Sequence, residues 1–216
     1  MNRAVSTVVV NYQTPVLLKR TVESFLNIYP DVSLWIVENG SQDSSLDVCQ
    51  SLASAFPGVI RVLKNDSNVF HGPAMDQAIR AVDTPYVFIL DSDTETHADG
   101  FLEEMLSMME SDKDCYMVGQ RVLVSERGFA RTKGIPVPVS AHLLLRREMY
   151  LSLPPFEHHG LPVLKNCMTA RERGWSVCSF PIEKYIDHIG RGTAEKYGYG
   201  LGLKSRWDYV LDKLGL

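Results

Sequence analysis

Two carboxylates separated by one residue, in Asp91-Ser92-Asp93, make the clearest chemical demand in this sequence. They follow an apolar run, Val87-Phe88-Ile89-Leu90, so they stand at the end of a predicted strand. Held that close they repel each other, and a hard divalent cation relieves the repulsion. Mg2+ and Mn2+ prefer oxygen ligands and accept a few carboxylates together with the phosphates of a substrate. A helix N-cap or a solvated turn is the competing account, because Asp-rich turns are common. Asn11, Glu38-Asn39 and Asn65-Asp66 are further polar clusters that follow apolar runs.

The elements that position these clusters read as alternating strands and helices. Val5 to Val10 is a run rich in β-branched residues and without a charge, as expected of a strand buried on both faces. Thr14-Pro15 opens a helix, with Thr as N-cap and Pro at the first helical position. Leu17, Leu18, Val22, Phe25 and Leu26 then recur at helical spacing. Strands are predicted over Val32–Val37, Val59–Leu63 and Tyr86–Leu90. Helices are predicted over Ser44–Ala55 and from Gly72-Pro73-Ala74 onward. This alternation predicts an α/β fold, with a mostly parallel sheet and helices on both faces. Ligands of such sheets sit beyond the carboxyl ends of the strands, and every polar cluster above falls on that edge.

The second half is less regular. Asp99 is expected to cap a helix over Gly100–Glu110 that buries Met105, Met108 and Met109. Met117–Val124, Ala141–Leu145 and Trp175–Phe180 read as strands, and Arg146–Leu151 as a short helix. A loop over Pro154–Gly160 leads into a helix that runs to Arg173 and is ended by Gly174. A last amphipathic helix is expected over Leu203–Leu214, with Trp207, Val210, Leu211 and Leu214 on one side.

Composition narrows the function classes. The 216 residues are 45% hydrophobic and 22% charged, with a formal net charge of −4, which disfavours a duplex nucleic-acid binder. No apolar run reaches the roughly 18 residues that span a bilayer. The start of the chain does not read as a signal peptide. The expected location is the cytoplasm, at the inner face of a membrane if the last helix docks there. That helix could instead pack on its own domain or on another copy in a homo-oligomer. Cys49, Cys115, Cys167 and Cys178 are scattered, as reduced and mostly buried thiols would be.

Several segments resemble the family-two glycosyltransferases, which have a GT-A fold and a DXD metal motif. Val8-Val9-Val10-Asn11-Tyr12 looks like that family's opening strand and turn. Val37-Glu38-Asn39-Gly40-Ser41-Gln42-Asp43 is similar to its strand-two motif, usually Val-Asp-Asn-(Gly/Ala)-Ser-x-Asp. Asn68 through Ile79 matches the register of its Asn- and Gly-bearing stretch. Val87 to Asp93 resembles its apolar strand plus DXD, and Ala170 to Trp175 its late helix end. The resemblance covers roughly residues 5–180. The chain is accordingly expected to be one GT-A-like domain over 1–216, with a nucleotide-sugar-binding lobe at 1–97 and an acceptor-binding lobe at 98–216.

The resemblance implies roles for individual residues. Asn11 and Tyr12 lie against the base or ribose. Glu38 stands where the family has Asp, beside Asn39, and accepts hydrogen bonds from base or ribose. Asn65, Asp66 and Asn68 border the base pocket. Asp91, with Ser92 beside it, faces the ribose or the metal and its water, and Asp93 coordinates the metal bridging the diphosphate. Many GT-A enzymes resembling this sequence supply a late histidine to the same metal, a role that falls to His188. Arg191, within Gly190-Arg191-Gly192, could clamp the diphosphate. The implied activity is metal-dependent hexosyl transfer from a nucleoside-diphosphate sugar, UDP first and GDP next, with Mn2+ or Mg2+. The acceptor is a glycan, a lipid-linked sugar or a small molecule.

The family pattern breaks where inverting members carry a Glu-Asp pair, because Pro162-Val163 falls at that position. Glu157, His158 and His159 lie just upstream, and histidine is a natural general base near neutral pH. They are the expected base of an inverting enzyme, or else a polar loop that caps the next helix. A retaining enzyme would not need a separate base. A non-catalytic nucleotide-sugar-binding module is a third account. A sugar nucleotidyltransferase would need a Gly-rich basic loop where Asn11-Tyr12-Gln13-Thr14 stands.

Overall fold

The valine-rich opening run becomes β1 (Val5–Asn11), with every side chain buried, Ser6, Thr7 and Asn11 included. The chain then forms α1 (Pro15–Ile28), β2 (Ser33–Asn39), α2 (Ser45–Ala55), β3 (Ile60–Asn65), α3 (His71–Ala81) and β4 (Tyr86–Asp91). There follow β5 (Thr94–Thr96), α4 (Phe101–Ser111), β6 (Cys115–Val124), β7 (Ile135–Arg146), α5 (Arg147–Leu151) and α6 (Leu164–Glu172). β8 (Ser176–Ser179), a 3-10 turn at Ile182–Lys184 and β9 (Ile186–His188) complete the order. This computed structural model describes residues 4–157 and 161–189. His158, His159, Arg191 and the expected helix over Leu203–Leu214 lie outside the described residues.

The main sheet has seven strands in the order β3-β2-β1-β4-β7-β6-β8. β1 pairs in parallel with β2 and β4, β2 with β3, and β6 with β8. β7 is antiparallel to both β4 and β6. The carboxyl ends of β1, β2, β3 and β4 therefore share one edge, as the alternating pattern predicts. β5 and β9 form a separate two-stranded antiparallel sheet above that edge. Three-residue strands are too short to leave a periodic signature, and sequence reasoning missed both.

Both faces of the sheet are covered. On one, Leu18, Phe25 and Leu26 of α1 pack with Phe88, Phe101 and Met105. The rings of Phe25, Phe88 and Phe101 follow one another at 6.2 and 5.4 Å. On the other, Met75 and Ile79 of α3 pack with Tyr116, Tyr150 and Phe156. Met105 and Met109 are fully buried, as their spacing predicts.

Two expected caps are different in the structure. Thr14 makes no side-chain cap to α1, because its hydroxyl donates to Asn11 Oδ1 at 2.8 Å. Gly100, not Asp99, precedes α4, at φ 86°, a left-handed conformation that glycine adopts without strain. The four cysteines are free thiols. Burial pushes Cys49 and Cys167 up to about 12, which keeps them protonated and unreactive. Among the described residues no helix is long and apolar enough to cross a membrane.

Candidate active site

Asp91 is the last residue of β4, and Asp93 follows after a one-residue turn into β5. β5 pairs with β9 so that Thr94 lies opposite His188, which carries that imidazole back over the carboxylates. His188 Nε2 is 2.9 Å from Asp93 Oδ1, and the Ile189 amide donates to the Asp93 carbonyl at 2.8 Å. One potential ligand atom from each of Asp91, Asp93 and His188 lies within 4.8 Å of the others. Residues 95 positions apart in sequence are thus joined at one point.

α1 secures this arrangement from below. The Thr21 hydroxyl donates to the Thr94 carbonyl at 2.8 Å and accepts the Thr94 amide at 3.1 Å. Ser24 Oγ accepts the Thr96 amide at 3.1 Å. Arg20 forms an ion pair with Glu95. The Thr14 hydroxyl lies between Asn11 Oδ1 and Ser92 Oγ, 3.1 Å from the latter, and ties the ends of β1 and β4 together.

These donors suit a divalent cation. Asp91 Oδ1 is buried and has no hydrogen-bond partner among the described residues. His71 Nε2 approaches it only to 3.4 Å, a loose ion-pair distance. A buried carboxylate oxygen without a donor is costly, and a cation at this point would satisfy it. Two carboxylates and one imidazole are ligands that Mn2+ accepts readily, while Mg2+ prefers oxygen alone.

A second cluster lies one and two strands away. Glu38, 1% exposed, accepts the Ser41 amide at 2.9 Å and the Gly40 amide at 3.3 Å, so its carboxylate shapes the turn after β2. The sequence expectation gave Glu38 a contact to base or ribose. In the structure these oxygens already bond the turn. Asn39 Oδ1 accepts from Asn65 Nδ2 at 3.0 Å and from the Val69 amide at 3.2 Å, and Asn39 Nδ2 donates to Asn68 Oδ1 at 3.0 Å. Asn68 Oδ1 also accepts the Phe70 amide at 2.8 Å, next to a backbone φ of 70° at Phe70. Asn39, Asn65 and Asn68 therefore build the loop leading into α3. Asp66 is exposed, while Tyr12 is partly buried at the rim.

Glu157 forms an ion pair with Lys165 at 3.0 Å. Its backbone lies against Gly72 at the start of α3, where a Cβ would stand 1.9 Å from the Glu157 carbonyl oxygen. Glu157 thus lies beside α3, against the residue that follows His71.

Sequence reasoning overlooked two histidines here. His71 is the first residue of α3, at the carboxyl edge of the sheet, and its position beside the predicted helix start at Gly72-Pro73-Ala74 could have marked it. His142 had no such signal. It lies within an apolar run, and only the β4–β7 pairing, which puts it opposite Leu90, brings it to the site. His142 is 6% exposed, and its ring meets that of His188 edge-on with centroids 5.8 Å apart. Burial, with His188 assisting and Asp91 and Asp93 opposing, lowers its pKa to about 4.

Known proteins place this geometry in context. No curated protein matches the chain. Among solved structures, the mannosyltransferase PcManGT from Pyrobaculum calidifontis, in complex with GDP-Man and Mn2+, superposes with a TM-score of 0.68 at 15% sequence identity. The match covers 84% of this chain and 55% of that one, so this chain spans little more than half of that protein. That likeness establishes the fold. The sequence model for glycosyl transferase family 2 matches residues 6–171, which take in β1 through α6 and both DXD carboxylates. With that match over most of its length, the chain belongs to glycosyl transferase family 2.

Proposed function

We propose that this protein transfers a sugar from a nucleoside-diphosphate sugar to an acceptor hydroxyl, with a divalent cation held by Asp91, Asp93 and His188. The convergence of those three side chains at the carboxyl edge of the parallel sheet carries the reading. Bound there, the cation is a Lewis acid that stabilises the charge developing on the leaving diphosphate. Mn2+ is favoured over Mg2+ because one ligand is nitrogen.

The chain's own residues divide the remaining work. Residues 1–97 form the donor lobe and 98–216 the acceptor lobe. Asn11, Tyr12 and the Asn39-Asn65-Asn68 loop, with Asp66 at its edge, border the nucleoside. Glu38 supports that pocket through its turn, and Arg191 clamps the diphosphate. Glu157, His158 and His159 supply the base. The acceptor oxygen bonds to the anomeric carbon, its proton passes to this base, and the sugar–phosphate bond breaks with its electron pair on the leaving phosphate. UDP is the first donor nucleotide to test. GDP stands beside it because PcManGT was solved with GDP-Man.

A thermal-shift panel with UDP, GDP, CDP, CMP and ADP, each with and without Mn2+, tests the reading. One diphosphate should stabilise the protein in a Mn2+-dependent way, by about 2.7 kcal/mol at a hundred times its dissociation constant. No shift with any nucleotide would overturn it. A pure nucleotide-sugar binder is the second reading, favoured by the fully buried Val163 where inverting relatives carry an acid. Slow Mn2+-dependent hydrolysis of the donor separates the two, since a pure binder releases no sugar.

A further inference from the structure

β7 outruns the strand it pairs with. Its last partner on β4 is Leu90, opposite His142, and from there β7 continues to Ile135, past the carboxyl edge that holds Asp91. β6 accompanies it, with Arg121, Val122, Leu123 and Val124 opposite Pro138, Val137, Pro136 and Ile135. The two strands therefore project beyond the sheet as a hairpin. It departs beside the metal site, because the His142 ring meets that of His188. The register shifts between Gly119 and Arg121, at the base of the projection. Irregularities of this kind re-aim side chains next to active sites.

The two faces of the hairpin differ. Val124, Ile135 and Val137 are buried in the core shared with α3 and α6. At the tip, a Cβ on Gly128 would stand 3.5 Å from Leu161 and from Leu164, so the hairpin rests on the segment that leads into α6. Strand alternation turns Arg121 to the opposite face, toward the side of the sheet that carries α1 and Ile186 of β9. The charge is one-sided as well. Arg121, Arg127, Arg131 and Lys133 are exposed, and Glu126 is the single acid of residues 120–134, in a chain whose net charge is −4. Arg121, Arg127 and Lys133 form no ion pair among the described residues. Such a group of cations repels itself and attracts an anion. Another strand is an unsuitable occupant, because Pro136 and Pro138 lack amide hydrogens and blunt the edge of β7. A guanidinium fits carboxylate or phosphate through paired hydrogen bonds.

We propose that the projecting β6–β7 hairpin docks an acidic saccharide as acceptor, with Arg121 taking a carboxylate or phosphate of that sugar. The inference rests on the transfer reading given above and names the class of its acceptor. Fluorescence anisotropy tests it without donor or metal. The probes are a labelled glucuronate oligosaccharide and a labelled phosphomannose oligosaccharide, each against its neutral counterpart. The parent should bind at least one acidic probe, more tightly at low salt, and neither neutral one. Arg121→Gln should weaken that binding about tenfold, the scale of one hydrogen bond to a charged group. Arg121→Lys should recover part of the loss. Lys113→Gln removes a cation at the opposite end of the sheet, beside Tyr86, and should change nothing. Arg121 is exposed, so its variants should fold and keep the parent's nucleotide shift. Equal binding of acidic and neutral probes, or an Arg121→Gln variant that matches the parent, would overturn the proposal. Binding to vesicles of anionic phospholipid with none to the oligosaccharides would assign the hairpin to a lipid surface and overturn it too. Acidic-probe binding in a parent without any Mn2+-dependent nucleotide shift would instead sink the transfer reading, and the acceptor role of the hairpin with it.

Discussion

At the scale of single residues, Asp93 and Glu38 are both buried carboxylates with different tasks. Asp93 is 7% exposed and faces His188, with Asp91 Oδ1, which accepts no hydrogen bond among the described residues, close by. Replacing Asp93 with Ala should reduce Mn2+-dependent donor turnover at least about a hundredfold, the scale of losing one preorganised electrostatic contact in a transition state. Turnover against Mn2+ concentration checks this, and full activity would remove Asp93 from the site. Glu38 instead holds two backbone amides of the turn after β2. Glu38→Ala leaves those donors unpaired and should cost about 1–3 kcal/mol of stability. Urea unfolding checks it, and a loss confined to donor affinity would show that Glu38 serves the ligand more than the turn.

At the scale of elements, the site depends on how β5 is held. Thr21 is fully buried in α1 and bonds both backbone polar groups of Thr94. Thr21→Val preserves shape and removes both bonds. β5 would loosen, and β9 with it, because β9 pairs with β5. The Mn2+ concentration giving half-maximal thermal shift should rise about tenfold, the lower end of the effect of losing an outer-shell support. Asp91 stands on β4 in the main sheet and should remain in place, so some Mn2+ binding should persist. Unchanged Mn2+ binding would mean that β9 is positioned without α1.

At the scale of the whole molecule, burial of His142 couples the fold to pH. Its folded pKa is lowered from 6.5 to about 4, by burial first, against the opposing pull of Asp91 and Asp93. The unfolded chain therefore takes up a proton at a higher pH than the folded one. This contribution is fully present above about pH 6.5 and is lost as pH falls toward 4. The difference amounts to about 3 kcal/mol at one pKa unit per 1.36 kcal/mol. In metal-free protein, His142→Phe should gain stability relative to the parent by about that amount between pH 7.5 and 4. Parallel stability curves for the two proteins across this range would show that the His142 pKa is not lowered.

The parallel half of the fold and the polar character of its carboxyl edge are legible in the residues alone. Uncharged, valine-rich or apolar runs at Val5–Val10 and Val87–Leu90 read as strands covered on both faces, and each is followed by polar residues. The paired carboxylates of Asp91 and Asp93 were legible for the same reason, because their repulsion is a local property. His188 was found only through family resemblance, since its partner lies 95 residues away. What tertiary structure alone decided was which distant groups meet. The antiparallel insertion of β7 puts His142 beside β4, and the short β5–β9 ladder brings His188 to Asp93. Neither leaves a periodic trace, because strand pairing is set by packing across the sheet and not by the residues next in the chain. The turn after β2 shows the same limit. Glu38 and Asn39 read as ligand groups at a strand end, and only the folded backbone shows their side chains bonding the loops they build.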